Sequence, residues 1–175
     1  MLYTGKGDNG TTKLFGCAER IAKSDARVHC LGNVDELNSW LGYCAALSGE
    51  RGEVGIAHSL REIQNDLFVI QACLAGAPKA LGSERLSRLE EEIACIEAEI
   101  EPICSFTIPG ATVLGGALDV GRTIVRRAER SLVSLEEGEL RASIIPYINR
   151  LSSVLFALAR LTAHRANVKE QAPRY

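Results

Sequence analysis

The chain has 175 residues, 46% apolar and 24% charged, which is the balance of one ordinary globular domain with room for a real core and not of a disordered chain. Its formal net charge of −2 leaves no excess of positive charge to release counterions, which excludes general nucleic-acid binding but not a local basic site. No apolar stretch reads as long and charge-free enough to span a bilayer, and Met1 to Gly7 has no signal-peptide core, so a cytoplasmic protein with no membrane partner is expected.

Residues 1–31 are rich in Gly, Thr, Lys and Asp without sustained periodicity, and read as an irregular segment. A first helix is expected from Asn33, where Asn33-Val34-Asp35-Glu36 resembles a capping box, through Leu37, Trp40, Leu41 and Ala45. A second runs from about Val54 to Ala75 on Ile56, Leu60, Ile63, Leu67 and Ile70, and Gly76-Ala77-Pro78 breaks it. A third spans about Glu84 to Glu101 on Leu86, Leu89, Ile93, Ile96 and Ile100, stopped by Pro102. After the linker Phe106 to Gly110, a fourth helix carries Val113, Ala117, Val120, Ile124 and Ala128 on its apolar side and ends near Glu136-Glu137-Gly138. The fifth runs from about Ile144 to Ala166 on Ile148, Leu151, Leu155, Leu158 and Leu161, with Pro146 in its first turn. No strand series or internal repeat is visible. The pattern is an all-α five-helix bundle over residues 33–166, behind an irregular N-terminal segment, in one domain spanning 1–175.

Three places offer chemistry. Arg122, Arg126, Glu129 and Arg130 share one helix face at i, i+4, i+7 and i+8, with Asp119 one turn earlier. Three guanidiniums meeting two carboxylates need an anion to face, although a solvated face with intrahelical partners has the same spelling. The run Thr4-Gly5-Lys6-Gly7-Asp8-Asn9-Gly10-Thr11-Thr12-Lys13 has glycines that let backbone amides approach an anion, with lysines and hydroxyls beside them. It lacks the Gly-Lys-Ser/Thr ending of a Walker A loop, and a flexible glycine-rich terminus is an equal reading. Asn149 interrupts the fifth helix's apolar pattern next to Tyr147 and Arg150, and Asp35, Glu36 and Asn38 lie near the start of the first. His29, His58 and His164 are isolated, and no nucleophile elbow or metal triad is present. The six cysteines (Cys17, Cys30, Cys44, Cys73, Cys95 and Cys104) form no Cys-x-x-Cys pair, so reduced thiols acting as small hydrophobes are expected and a structural zinc is not.

In this order the pieces resemble the PduO-type ATP:cob(I)alamin adenosyltransferases. The resemblance rests on Tyr3 to Thr12, Arg20 to Lys23, Gly32 to Ser39, Ile63 to Phe68, Phe106 to Gly110, Arg122 to Arg130, and Asn149-Arg150-Leu151-Ser152. It implies a five-helix bundle assembled as a homotrimer with active sites between subunits. Thr4, Gly5, Lys6, Gly7, Thr12, Lys13 and Lys23 would hold the triphosphate of ATP. Arg126, Arg127, Glu129, Arg130 and Asn149 would contact the nucleotide. Arg122 would pair with Asp35 of a neighbouring subunit, and Phe106 would lie against the corrin on its lower axial side. Arg126, Arg122, Asp35 and Phe106 would thus serve catalysis, and Mg²⁺ would bridge the phosphates without a dedicated protein site.

The activity implied is transfer of the 5′-deoxyadenosyl group of ATP to cob(I)alamin, with a cob(II)alamin reductase upstream and an adenosylcobalamin-dependent client enzyme downstream. A non-catalytic module that binds ATP and corrinoid and delivers cofactor is the alternative from another class, and a purely structural bundle a third. The chain departs from the family pattern at Ala111, where Gly is common, at Asp119, where His is common, and at Ser153, where Asp is common. Asp119 on the arginine stripe is expected to weaken its positive field.

Overall fold

Asp25 opens the first helix: its carboxylate accepts from the backbone N–H of Arg27 at 2.8 Å, and α1 runs Ala26–Glu50. Asn33 therefore lies inside α1 and does not cap it. The irregular segment is shorter than expected, because α1 starts at a single side-chain cap upstream of the residues whose spacing shows a helical period. A computed structural model describes residues 3–135 and 138–174, the side chains of 138–141 excepted. In it α2 spans Val54–Leu74, α3 Ser83–Glu99, α4 Val113–Val133 and α5 Gly138–Arg165.

The ends of α4 and α5 correct the sequence reading. Ser134 caps α4 at its C-terminus, and Gly138 begins α5 instead of closing α4. Glu136 and Glu137 lie outside the described residues. Pro146 sits inside α5, not in its first turn. The missing N–H strands the carbonyl of Ala142, but both residues face solvent, where water can satisfy it.

Helices consecutive in sequence alternate in direction, while α3 and α5 pack side by side in parallel, Glu90 meeting Arg150 and Glu99 meeting Arg165. Trp40 Nε1 of α1 donates to the Ala117 carbonyl of α4 (2.8 Å). Gln64 and Gln71 of α2 reach Asn38 and Asp35 of α1. Thr112 meets Thr162 at one end of the α4–α5 pair and Glu129 meets Asn149 at the other. One end of the bundle thus gathers the start of α1, the end of α2, the end of α4 and the start of α5. Gly115 allows the closest approach: a Cβ there would lie 2.8 Å from the Thr162 hydroxyl of α5.

The core is continuous. All five expected apolar positions of α2 are buried, as are Leu151, Leu155, Leu158 and Leu161 of α5. On α4 the face is rotated from expectation: Leu114, Leu118 and Val125 join Ala117, Ile124 and Ala128 inside, while Val113 and Val120 are exposed. Ala142–Arg165 is, contrary to expectation, long and apolar enough to cross a membrane by length and composition (mean hydropathy 1.3). Its apolar residues are accounted for by packing against α4 and α3. Asp66 of α2 is fully buried and receives Arg85 and Arg88 of α3 and the Tyr147 hydroxyl of α5 (2.8 Å), so one carboxylate joins three helices. Burial and the Asp66 carboxylate push the Tyr147 hydroxyl well above the ordinary phenol range, keeping it a donor. Cys30, Cys44 and Cys73 are buried; Cys95 and Cys104 are exposed.

Candidate functional site

The N-terminal segment is a built hairpin. Thr11–Thr12 (β1) pairs antiparallel with Ile21–Ala22 (β2), two strands too short to show a sequence period. Gly5 (φ 67°) and Gly10 (φ 79°) occupy the left-handed region that favours glycine, at turns closed by Asp8 N to Gly5 O and Gly10 N to Gly7 O. Arg20 ties the hairpin together, donating to the Thr11 hydroxyl (2.7 Å) and carbonyl (2.8 Å), and Asn9 accepts from the same hydroxyl. The backbone of Lys23 bonds Gly10 (2.9 Å), and its chain crosses over Gly7: a Cβ on Gly7 would lie 3.2 Å from Lys23 Nζ. Lys6, Lys13 and Lys23 are exposed around this turn, with Thr4, Gly5, Gly7 and Thr12 beside them. Arg20 had no assigned role in the sequence; its contact partner nine residues away follows no helix or strand spacing.

On α4, Arg126 and Arg130 are exposed and make no hydrogen bond or ion pair among the described residues. Glu129 forms no ion pair with them; it accepts from Asn149 of α5 at 2.8 Å, which brings two of the expected residues together. Arg127 turns to α1 and pairs with Glu36. Arg122 is half-buried, its Nε enclosed without a hydrogen-bond partner. Asp35 is exposed and accepts one bond from Gln71 (3.2 Å).

Asp119 is not a free carboxylate on the stripe. It occupies the same helix face, but the segment 103–110 and the C-terminal tail cover that turn, and Asp119 is buried in an ion pair with Arg160 of α5 (2.7 Å). Arg160 also donates to Thr107 (2.8 Å) and approaches Glu170 of the tail to 2.6 Å without hydrogen-bond alignment. Burial raises the Glu170 carboxyl above its ordinary range, the nearby Arg160 charge opposing this. A cleft of about 640 Å³ opens here, lined by Phe106, Pro109, Asp119, Arg122, Phe156 and Arg160 among others. Its volume suits a sizeable organic ligand. Arg160 and Glu170 were missed in the sequence; the only local signal was a cation one residue before Leu161 in an apolar run.

Exposed lysines at the hairpin turn, and exposed guanidiniums on α4 without ion-pair partners among the described residues, are groups suited to a polyanion. A sequence profile described as cobalamin adenosyltransferase matches residues 2–162, and the chain belongs to that family. It is 40% identical over 186 residues to the corrinoid adenosyltransferase PduO of Salmonella typhimurium, covering 99% of this chain but only 54% of that protein, so the chain spans about half its length. It is 42% identical over 168 residues to a corrinoid adenosyltransferase of Citrobacter freundii, covering 91% of this chain and 93% of the relative. The fold superposes with a TM-score of 0.91, at 34% identity and full coverage of both chains, on a phenylalanine-to-alanine variant of a PduO-type ATP:corrinoid adenosyltransferase from Lactobacillus reuteri complexed with cobalamin and ATP. An arginine-to-lysine variant of the Lactobacillus reuteri enzyme complexed with ATP gives 0.90 at 36% identity, covering 99% of this chain and all of that one.

Proposed function

We infer that the chain transfers the 5′-deoxyadenosyl group of ATP to the cobalt of cob(I)alamin, giving adenosylcobalamin and triphosphate. The observation that carries this is the pair Arg126 and Arg130, exposed on α4 without an ion-pair partner among the described residues, in a family whose solved relatives hold ATP and cobalamin.

Cob(I)alamin is itself the nucleophile. Its electron pair forms the Co–C bond at the 5′ carbon, and the C–O bond breaks with its electrons passing to triphosphate. No protein base is required. The residues must align the two substrates and neutralise a polyanionic leaving group. Arg126 and Arg130 face that charge, and the hairpin with Lys6, Lys13 and Lys23 surrounds it. The Glu129–Asn149 bond fixes the amide that faces the nucleotide. Phe106, 80% exposed on its linker, supplies an apolar face to the lower side of the corrin. No cluster of three or more His, Cys, Asp or Glu side chains is gathered for a metal among the described residues, so Mg²⁺ would arrive on the triphosphate oxygens.

The assembly we propose is a homotrimer, with Arg122 meeting Asp35 across subunits. The half-buried Arg122, which makes no ion pair among the described residues, the exposed Asp35 and the exposed Val113 and Val120 support it. A cob(II)alamin reductase would supply Co(I) and an adenosylcobalamin-dependent enzyme would receive the product. Six free cysteines suit the reducing cytoplasm.

Purified protein given ATP and cob(I)alamin is expected to form adenosylcobalamin; ATP binding with no product would instead show a carrier module. Asp35→Asn and Arg122→Ala are each expected to lower kcat/KM by roughly tenfold or more, with the double variant no worse than the poorer single. Additive losses in that cycle would remove the pairing. Lys23→Met removes the ammonium that lies over Gly7 and should raise the ATP dissociation constant about tenfold, as expected for one lost charge-assisted contact. Calorimetric titration of ATP into the variant checks this, and unchanged affinity would place Lys23 outside the phosphate site.

A further inference from the structure

The segment that carries Phe106 has almost no hydrophobic anchorage. Ile103, Phe106 and Ile108 are 45%, 80% and 47% exposed, so burial does not decide where the segment sits. Polar contacts decide it, and they converge on one side chain. Arg160, 3% exposed, bonds Thr107, the residue next to Phe106, through one terminal nitrogen and Asp119 of α4 through the other. Its Nε faces Glu170, and its guanidinium carbon lies 4.8 Å from the Phe156 ring centroid. The tail holds the segment a second time, where Ile108 N–H donates to the Gln171 carbonyl at 2.8 Å.

A buried guanidinium is costly unless compensated, and here the two terminal nitrogens are hydrogen-bonded and Nε lies against a carboxylate, which sets its orientation. Asp119 and Glu170 supply the counter-charge, at Nη2 and Nε. The remaining direction points at the linker. Arg160 therefore converts the rigidity of α4 and α5 into a fixed position for a segment that would otherwise be loosely held.

We propose that Arg160 is a positioning residue for the corrinoid substrate: through Thr107, and through the tail it shares with Glu170, it holds Phe106 over the cleft. This rests on the reading that Phe106 faces the corrin. Handling of the corrinoid then depends on the C-terminal tail, whereas handling of ATP does not.

The test compares wild type with Thr107→Val, Arg160→Met and, as a control for lost ion pairs, Arg165→Met, whose side chain bonds Glu53 and Glu99 away from the linker. Amide hydrogen exchange of residues 103–109 is measured with the KM values for cob(I)alamin and ATP. Thr107→Val keeps both ion pairs and removes only the bond to the linker. It is expected to speed exchange there and raise the corrinoid KM about tenfold, with the ATP KM within about twofold of wild type. Arg160→Met should do at least as much, the double variant no more than Arg160→Met alone, and Arg165→Met neither. If Arg160→Met does not fold, Thr107→Val carries the test alone. Wild-type exchange and corrinoid KM in Thr107→Val would overturn the proposal, as would a matched rise in both KM values. If wild type makes no adenosylcobalamin, the proposed activity fails, while the exchange measurement still reads whether Arg160 holds the linker.

Discussion

Arg126→Ala is expected to lower kcat/KM for ATP by about 10²–10³-fold, the usual worth of one donor aimed at charge that develops in the transition state. The side chain is exposed and has no partner among the described residues, so its removal strands nothing inside the protein. The melting temperature should therefore move little. Arg126→Lys keeps the charge but loses the planar fork that matches two phosphate oxygens, and should fall between the two. Steady-state rates of adenosylcobalamin formation at saturating corrinoid decide the matter. Wild-type turnover in Arg126→Ala would remove the leaving-group role from the stripe.

The largest effect on stability should come from a residue far from that chemistry. Asp66→Ala is expected to cost about 3–5 kcal/mol, because it breaks a buried ion pair and leaves a buried hydroxyl without its acceptor. Arg85 and Arg88 are 30% and 40% exposed and can turn to water, but Tyr147 cannot. A loss of that size is a large share of the roughly 5–15 kcal/mol that a domain commands. Asp66→Asn keeps an acceptor for Tyr147 and should cost less, about 1–3 kcal/mol. Urea midpoints for both variants measure the difference. Equal midpoints would show that the acceptor kept for Tyr147 contributes nothing beyond the charge that both variants lose.

The helices were legible where one face alone meets the core. The spacing of Ile56, Leu60, Ile63, Leu67 and Ile70 places α2 within a residue of its observed bounds. Legibility failed where a terminus is set by one polar contact, as at Asp25, or where a breaker sits on a wet face, as at Pro146. The rotation of α4 has a related cause: Val113 and Val120 look like core by type, yet the small residues Gly115 and Gly121 face α5 and α1 and set which side packs. At the site, the loop and stripe could be named from local spacing, and the Glu129–Asn149 contact joins two residues singled out independently. The fate of Asp119 could not be read, because its partner lies 41 residues away and the segment that covers it has no periodic pattern. Sequence spacing reports faces of one element; it says nothing of what a linker later lays across them.

The unequal burial of the thiols separates them by reactivity. Burial pushes Cys44 up to about 12, so at neutral pH it holds almost no thiolate, the form that attacks electrophiles. Burial raises Cys73 as well, and its thiol is engaged with the Lys79 carbonyl at 3.1 Å. Cys95 on α3 and Cys104 beside Phe106 stand exposed. A short treatment with an alkylating reagent should mark those two before the core thiols. With Cys95 and the half-buried Cys17 replaced by Ser, the Phe106 segment would carry an optical or paramagnetic label at Cys104 with the interior left as it is.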